Sequence, residues 1–185
     1  MSASAASSGD PHATFDGTTP AGTKIGGNWD SMTSHANLLE SDSFDGGYRI
    51  STTVTQPNDT GVTLNARVSV ATDGGRTNVS LSGDGAYDVW SSGRRVALET
   101  GRTTRLGDGE TVTRNADGSL SLSDRNGRGG SIETTLRHNG AGGVDVENEA
   151  HRVGLGGYLV DRTDGDANSV VLAGPDEGAS AARRE

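Results

Sequence analysis

The 185-residue chain predicts an all-β domain, an antiparallel meander forming a sandwich or barrel-like domain. Three observations predict it. From Gly47 onward apolar and polar residues alternate in short runs, the period of half-buried strands. Turn signals rich in Gly, Asp and Asn separate the runs: "TDGG" at 72–75, "SGDG" at 82–85, "SSG" at 91–93, "GDG" at 107–109, "NADG" at 115–118 and "HNGAGG" at 138–143. Strands and turns recur every eight to twelve residues or so, as in sandwiches and barrels.

The elements follow in order. Residues 1–8, "MSASAASS", read as a disordered Ser/Ala-rich leader, and 9–162 as one β-rich domain. In "NWDSMTSHANLLE", Trp29, Met32, Ala36 and Leu39 recur at near-helical spacing, with Asp30 or Ser31 available as a cap, and predict one short helix near residues 31–40. Tyr48, Ile50, Thr52 and Val54 then share one strand face, as do Val62, Leu64, Ala66, Val68 and Val70. Val79 with Leu81, Tyr87 with Val89, Val96 with Leu98, and Leu120 with Leu122 continue the series. Ile132, Thr134 and Leu136 form another face, followed by Val144 and Val146. Residues 163–185 read as a mostly flexible, Ala- and acid-rich tail in which Val170, Val171 and Leu172 add a last strand, with disorder expected beyond Gly174. The Gly-Asp turns keep no fixed nine-residue period, so no repeat architecture is expected.

Composition narrows the function. A net charge of −9, with Lys24 the only lysine, repels phosphate backbones and excludes a nucleic-acid partner, while the same sign favours divalent cations. Leu, Ile, Val and Phe total 31 against 29 glycines, a thin apolar supply for a domain of this size, so a bound ligand that stiffens the fold is a reasonable expectation. No cysteine is present, which excludes disulfides and thiolate metal sites. No run approaches the length of a membrane-spanning helix, so no membrane insertion is expected, and "MSASAASSG" lacks the basic and apolar regions of a conventional signal peptide. A monomer is expected.

The chemistry concentrates at Gly9-Asp10-Pro11-His12. An Asp-Pro bond is a tertiary amide whose proline nitrogen leaves well once protonated. The Asp10 carboxylate is positioned by covalent connection to attack its own main-chain carbonyl and close a five-membered anhydride; such intramolecular attacks reach effective molarities of about 10⁵–10⁸ M. Gly9 keeps the approach open. Two aids are missing from the dipeptide itself: a Lewis acid on the carbonyl, which Ca²⁺ or another divalent cation supplies, and a proton for the departing nitrogen, which His12 supplies. The sequence shows no conventional nucleophile–base pair for a multiple-turnover hydrolase.

"GDPH" followed by "TFDG" resembles the opening of the von Willebrand type D domain and, more closely, a bacterial family of metal-ion-inducible autocleavage domains that cut between Asp and Pro when calcium binds. "GTKIGGNWDSMTSHANLLESDSFDGGYRISTTV" and "LGDGETVTRNADGSLSLS" are similar to that bacterial group, and the likeness runs over most of residues 9–161. Type D domains are cysteine-rich and this chain has none, and His12 lies one residue closer to Phe15-Asp16-Gly17 than in the type D pattern. The resemblance implies Asp10 and Pro11 as the scissile pair, Gly9 and His12 as their flanks and Asp16 as a metal ligand. Asp30, Asp42 and Asp45, which with Asp16 crowd the N-terminal third, join Asp10 and Asp16 as candidate calcium ligands. The "MSASAASSG" leader resembles the Ser/Ala-rich leaders of some bacterial secretion substrates, which implies export from a bacterium without a conventional signal peptide, although a cytoplasmic protein fits the composition equally. The alternative is a secreted, calcium-stabilised β-domain that binds or braces and never cuts.

Overall fold

The computed structural model describes residues 2–8, 12–18, 24–30, 34–107, 109–161 and 170–171. Two antiparallel sheets face each other as an open sandwich, not a closed barrel. The first sheet holds eight strands: β1 (Ser2–Ser8), β2 (His12–Thr18), β3 (Lys24–Asp30), β10 (Thr103–Arg105), β11 (Thr111–Arg114), β12 (Leu120–Arg125), β13 (Ser131–His138) and β14 (Val144–His151). Their spatial order is β10-β11-β12-β13-β14-β1-β2-β3, so β1, first in sequence, is an interior strand. The second sheet is a six-strand meander of β4 (His35–Ser41), β5 (Tyr48–Val54), β6 (Asn65–Thr72), β7 (Thr77–Ser82), β8 (Tyr87–Ser91) and β9 (Arg94–Arg95). β15 (Gly154–Leu155), the one-turn helix α1 (Tyr158–Asp161) and β16 (Val170–Val171) follow among the described residues, with β15 and β16 paired.

The alternation read from the sequence packs the space between the sheets. Ile132, Leu136, Val144, Val146, Leu120 and Leu122 of the first sheet face Tyr48, Ile50, Val68, Val70, Val79 and Leu81 of the second, all buried. The phase slips once. A bulge between Thr53 and Val54 turns Asn65 inward, where an unbroken alternation had Leu64 and Ala66. Asn65 then joins the sheets by donating its amide to the Ser7 hydroxyl (3.0 Å) and the Val144 carbonyl (3.2 Å).

Two expectations are corrected. The helix near residues 31–40 is replaced, over its described part, by strand β4, which pairs with β5 through a bulge between His35 and Leu39. Leu38 and Leu39, adjacent in sequence, are both buried because β4 is covered on more than one side: Glu40 exchanges backbone hydrogen bonds with Gly156, and His35 stacks on Tyr158 at 3.8 Å. Adjacent buried leucines and a two-residue bulge imitate helical spacing. Residues 2–8, read as a disordered leader, form β1. Its inward residues Ala3, Ala5 and Ser7 are buried but too small to register as an apolar stripe.

A polar chain crosses the core. The Tyr48 hydroxyl lies 2.6 Å from Thr134 Oγ1, which donates to Asn148 Oδ1 (2.7 Å), and Asn148 donates its amide to the Ala5 carbonyl (3.1 Å). Thr134 has one proton and gives it to Asn148, so Tyr48 is the donor to Thr134. Burial pushes the Tyr48 phenol well above its ordinary 10.0, more than the Thr134 hydrogen bond lowers it, with Asp124 and Glu110 adding to the rise. The raised phenol contributes stability that is full below the unfolded-state value and is lost as pH climbs beyond about 10. Denaturant titrations across pH 8–12 are therefore expected to show stability falling above about pH 10, with Tyr48→Phe shallower on that limb and about 1 kcal/mol less stable at neutral pH.

Candidate functional site

The GDPH segment lies where β1 meets β2. Ser8 and His12 are cross-strand partners, and the antiparallel register continues through Ser7↔Ala13 and Ala5↔Phe15 to Ala3↔Gly17. Gly9, Asp10 and Pro11 lie outside the described residues. The frame around them follows from alternation: Ala13, Phe15 and Gly17 are buried, whereas His12 and Asp16 are exposed on the outer face. β3 adds the next neighbour, with Asp30 the register partner of His12 and Gly26 that of Asp16.

The other side of this hairpin is fixed as firmly. β1 pairs with β14 from Ser2↔His151 to Ser7↔Val146. Ala3 and Ala5 are buried, Ala5 accepts from Asn148, and Ser7 is tied to Asn65 of the second sheet. The backbone on both sides of the Asp10–Pro11 bond thus enters ladders held by a third and a fourth strand.

The candidate ligands do not all converge. Asp30 is in register with His12. Asp16 stands four residues further along β2, about 13 Å by strand rise, in a cross-sheet row with Ser4, Glu149 and Glu133. Asp42 and Asp45 belong to the connection between β4 and β5 on the second sheet, where Ser43 meets Arg128 and Gly154. That connection adjoins the Ser2 end of β1, roughly 20 Å from the Ser8 end by strand length. Among the described residues no three His, Asp or Glu side chains gather as a metal-binding group. Asp30 and Asp16 thus belong to the strands that pair around His12, whereas Asp42 and Asp45 belong to the other sheet.

The sequence reading passed over the outer face of the first sheet. Glu133, Glu147 and Glu149 line a shallow depression with Ser4, Ala6 and Thr14. Glu133 and Glu149 are direct partners, an unfavourable like-charge pairing. The signal was present, since Glu147 and Glu149 occupy the outward phase of the stretch whose inward phase is Val144 and Val146. Of the remaining histidines, His138 ends β13, His151 ends β14 and His35 is buried against Tyr158, which suits strand-end and core roles. Tyr87 packs on the core while Trp90 is exposed and donates to Asp88 at 2.9 Å, so one of the two aromatics of β8 is core.

No described helix is long and apolar enough to cross a membrane. No protein-family model matches the chain, and no curated protein matches its sequence.

Proposed function

We propose that the domain performs a single-turnover scission of its own Asp10–Pro11 bond, induced by calcium. The observation that supports the reading is the pairing of the strands that flank Gly9-Asp10-Pro11 in sequence, in which His12 is the register partner of Ser8 and of Asp30. Paired strands on each side restrict the backbone, which favours an intramolecular attack whose barrier is largely one of orientation.

An Asp10 carboxylate oxygen bonds to the Asp10 main-chain carbonyl carbon, the bond from that carbon to the Pro11 nitrogen breaks, and the nitrogen leaves as a secondary amine after taking a proton. Water then opens the cyclic anhydride and restores two carboxyl groups on Asp10. His12 is the proton donor, and its outer-face position leaves it in contact with solvent for reprotonation. A hard divalent cation, when bound, polarises the reacting carbonyl and keeps the Asp10 carboxyl ionised. Asp10 and Asp30 are the residues to hold it, with Asp16 further along the same strand pair.

Intact-mass analysis of purified protein incubated with millimolar Ca²⁺ tests the proposal. The expected result is a break after Asp10, abolished by Asp10→Ala and slowed by about 10²-fold or more by His12→Ala. A mass unchanged after long incubation at mildly acidic and neutral pH refutes it. Calcium that raises the melting temperature without any cut would favour the stabilised binding domain.

A further inference from the structure

A second polar centre lies at the far end of the sandwich. Glu110, only 2% exposed, sits where the chain enters β11. Its Oε1 accepts from the Thr72 hydroxyl at 2.6 Å, while Oε2 is buried with no hydrogen-bond partner among the described residues. A buried carboxylate oxygen left unpaired is costly, and a native fold that keeps one has a use for it. Asp73, 9% exposed, stands across from it on the 3₁₀ turn between β6 and β7. Asp73 holds a positive φ of 51°, and its Oδ1 accepts a hydrogen bond from the Arg76 guanidinium at 2.7 Å.

Gly107 shows what the two carboxylates surround. A Cβ at this glycine would lie 3.1 Å from Thr77 Oγ1, 3.4 Å from Glu110 Oε2 and 3.6 Å from Asp73 Oδ2. Three oxygens from three separate elements thus converge on the space that the missing side chain leaves. The Gly107 backbone is outside the left-handed region, so conformation does not demand glycine there, whereas the cradle does. Gly107 itself is exposed, which gives a way in, and its amide donates to Ser91 Oγ (3.0 Å).

We infer that Asp73 Oδ2, Thr77 Oγ1 and Glu110 Oε2 form a binding site for a hard divalent cation, calcium in the first instance. All donors are oxygen, which excludes a preference for soft metals. Arg76 pairs with Asp73 Oδ1, which leaves Asp73 Oδ2 and Glu110 Oε2 on the side of the cradle. Calcium accepts irregular sets of six to eight oxygens, and water completes the shell through the opening at Gly107, whereas Mg²⁺ demands near-ideal octahedral geometry. The site is independent of the proposed scission. It lies four strand spacings and about five residues from Ser8, on the order of 25 Å by sheet dimensions. An ion there ties β11 to the turn between β6 and β7 and so clamps the two sheets together at the end remote from GDPH.

Calorimetric titration of the full chain carrying Asp10→Ala, in which cleavage is silent, separates this site from the cutting reaction. The expected result is calcium binding with Kd of about 10⁻⁵–10⁻³ M, weakened at least tenfold by Glu110→Gln and by Gly107→Ala, and unchanged by Asp59→Asn, which alters an exposed loop carboxylate. Circular dichroism first establishes that each variant folds; should Glu110→Gln fail, Gly107→Ala alone decides. Absence of calcium binding at millimolar concentration, or an affinity unaltered by whichever of the two variants folds, overturns the inference.

Discussion

Protein cut after Asp10 is expected to keep its N-terminal peptide. Denaturing mass spectrometry should show two species, whereas native size exclusion should show one peak containing both. The reason is topological. β1 is an interior strand, hydrogen-bonded to β14 on one side and β2 on the other, with Ala3 and Ala5 buried and Ser7 tied to Asn65. Scission removes only the link to β2. It replaces an intramolecular effective concentration of order mM by the actual protein concentration. At micromolar protein the change is about a thousandfold, or about 4 kcal/mol, so the melting temperature of the cut form should fall on dilution while that of Asp10→Ala stays constant. Immediate loss of the peptide under native conditions would contradict the β1 pairing. Were the bond cut, β1 would become a separable strand, and its departure would bare the facing edges of β14 and β2 to another strand.

The all-β class was legible because residues such as Ile132-Thr134-Leu136 and Val144-Val146 alternate strictly and are separated by turns whose glycines adopt positive φ, among them Gly85, Gly118 and Gly140. β1 escaped notice for a related reason. Its Ser-Ala-Ser-Ala alternation has the strand period, but alanine and serine carry so little apolar area that the pattern resembles low complexity. β4 was misread because coverage by β15 and α1 buries consecutive residues, a tertiary effect that no local window contains. The candidate tetrapeptide Gly9-Asp10-Pro11-His12 was singled out through its covalent chemistry alone, since an Asp-Pro bond needs no fold to be recognised. The Asp73–Thr77–Glu110 cradle was not. Its donors lie as far as 37 positions apart, and a Glu following "GDG" reads as a solvated turn residue until the turn between β6 and β7 is brought against it.

Replacing Asn148 by Ala should lower stability by about 2–4 kcal/mol, a melting temperature some 5–15 °C lower, although the residue touches neither GDPH nor any candidate ligand. Asn148 is buried at the middle of β14 and uses both ends of its amide, accepting from Thr134 and donating to Ala5. Alanine leaves the Thr134 hydroxyl proton without its acceptor and takes a donor from the Ala5 carbonyl, in a core where water does not replace either. Leucine in place of Asn148 fills the volume but leaves the same two groups unanswered, so it should recover little. The Ala5 contact joins this residue to the first prediction. In the cut form Asn148→Ala removes a side-chain anchor of the severed strand, and each 1.4 kcal/mol lost there weakens peptide retention about tenfold. Release measured by native size exclusion after calcium treatment should therefore be faster in Asn148→Ala than in wild type, while the rate of the proposed scission, for which Asn148 supplies no group, should change far less. Equal retention in the two proteins would mean that the backbone ladders alone hold β1.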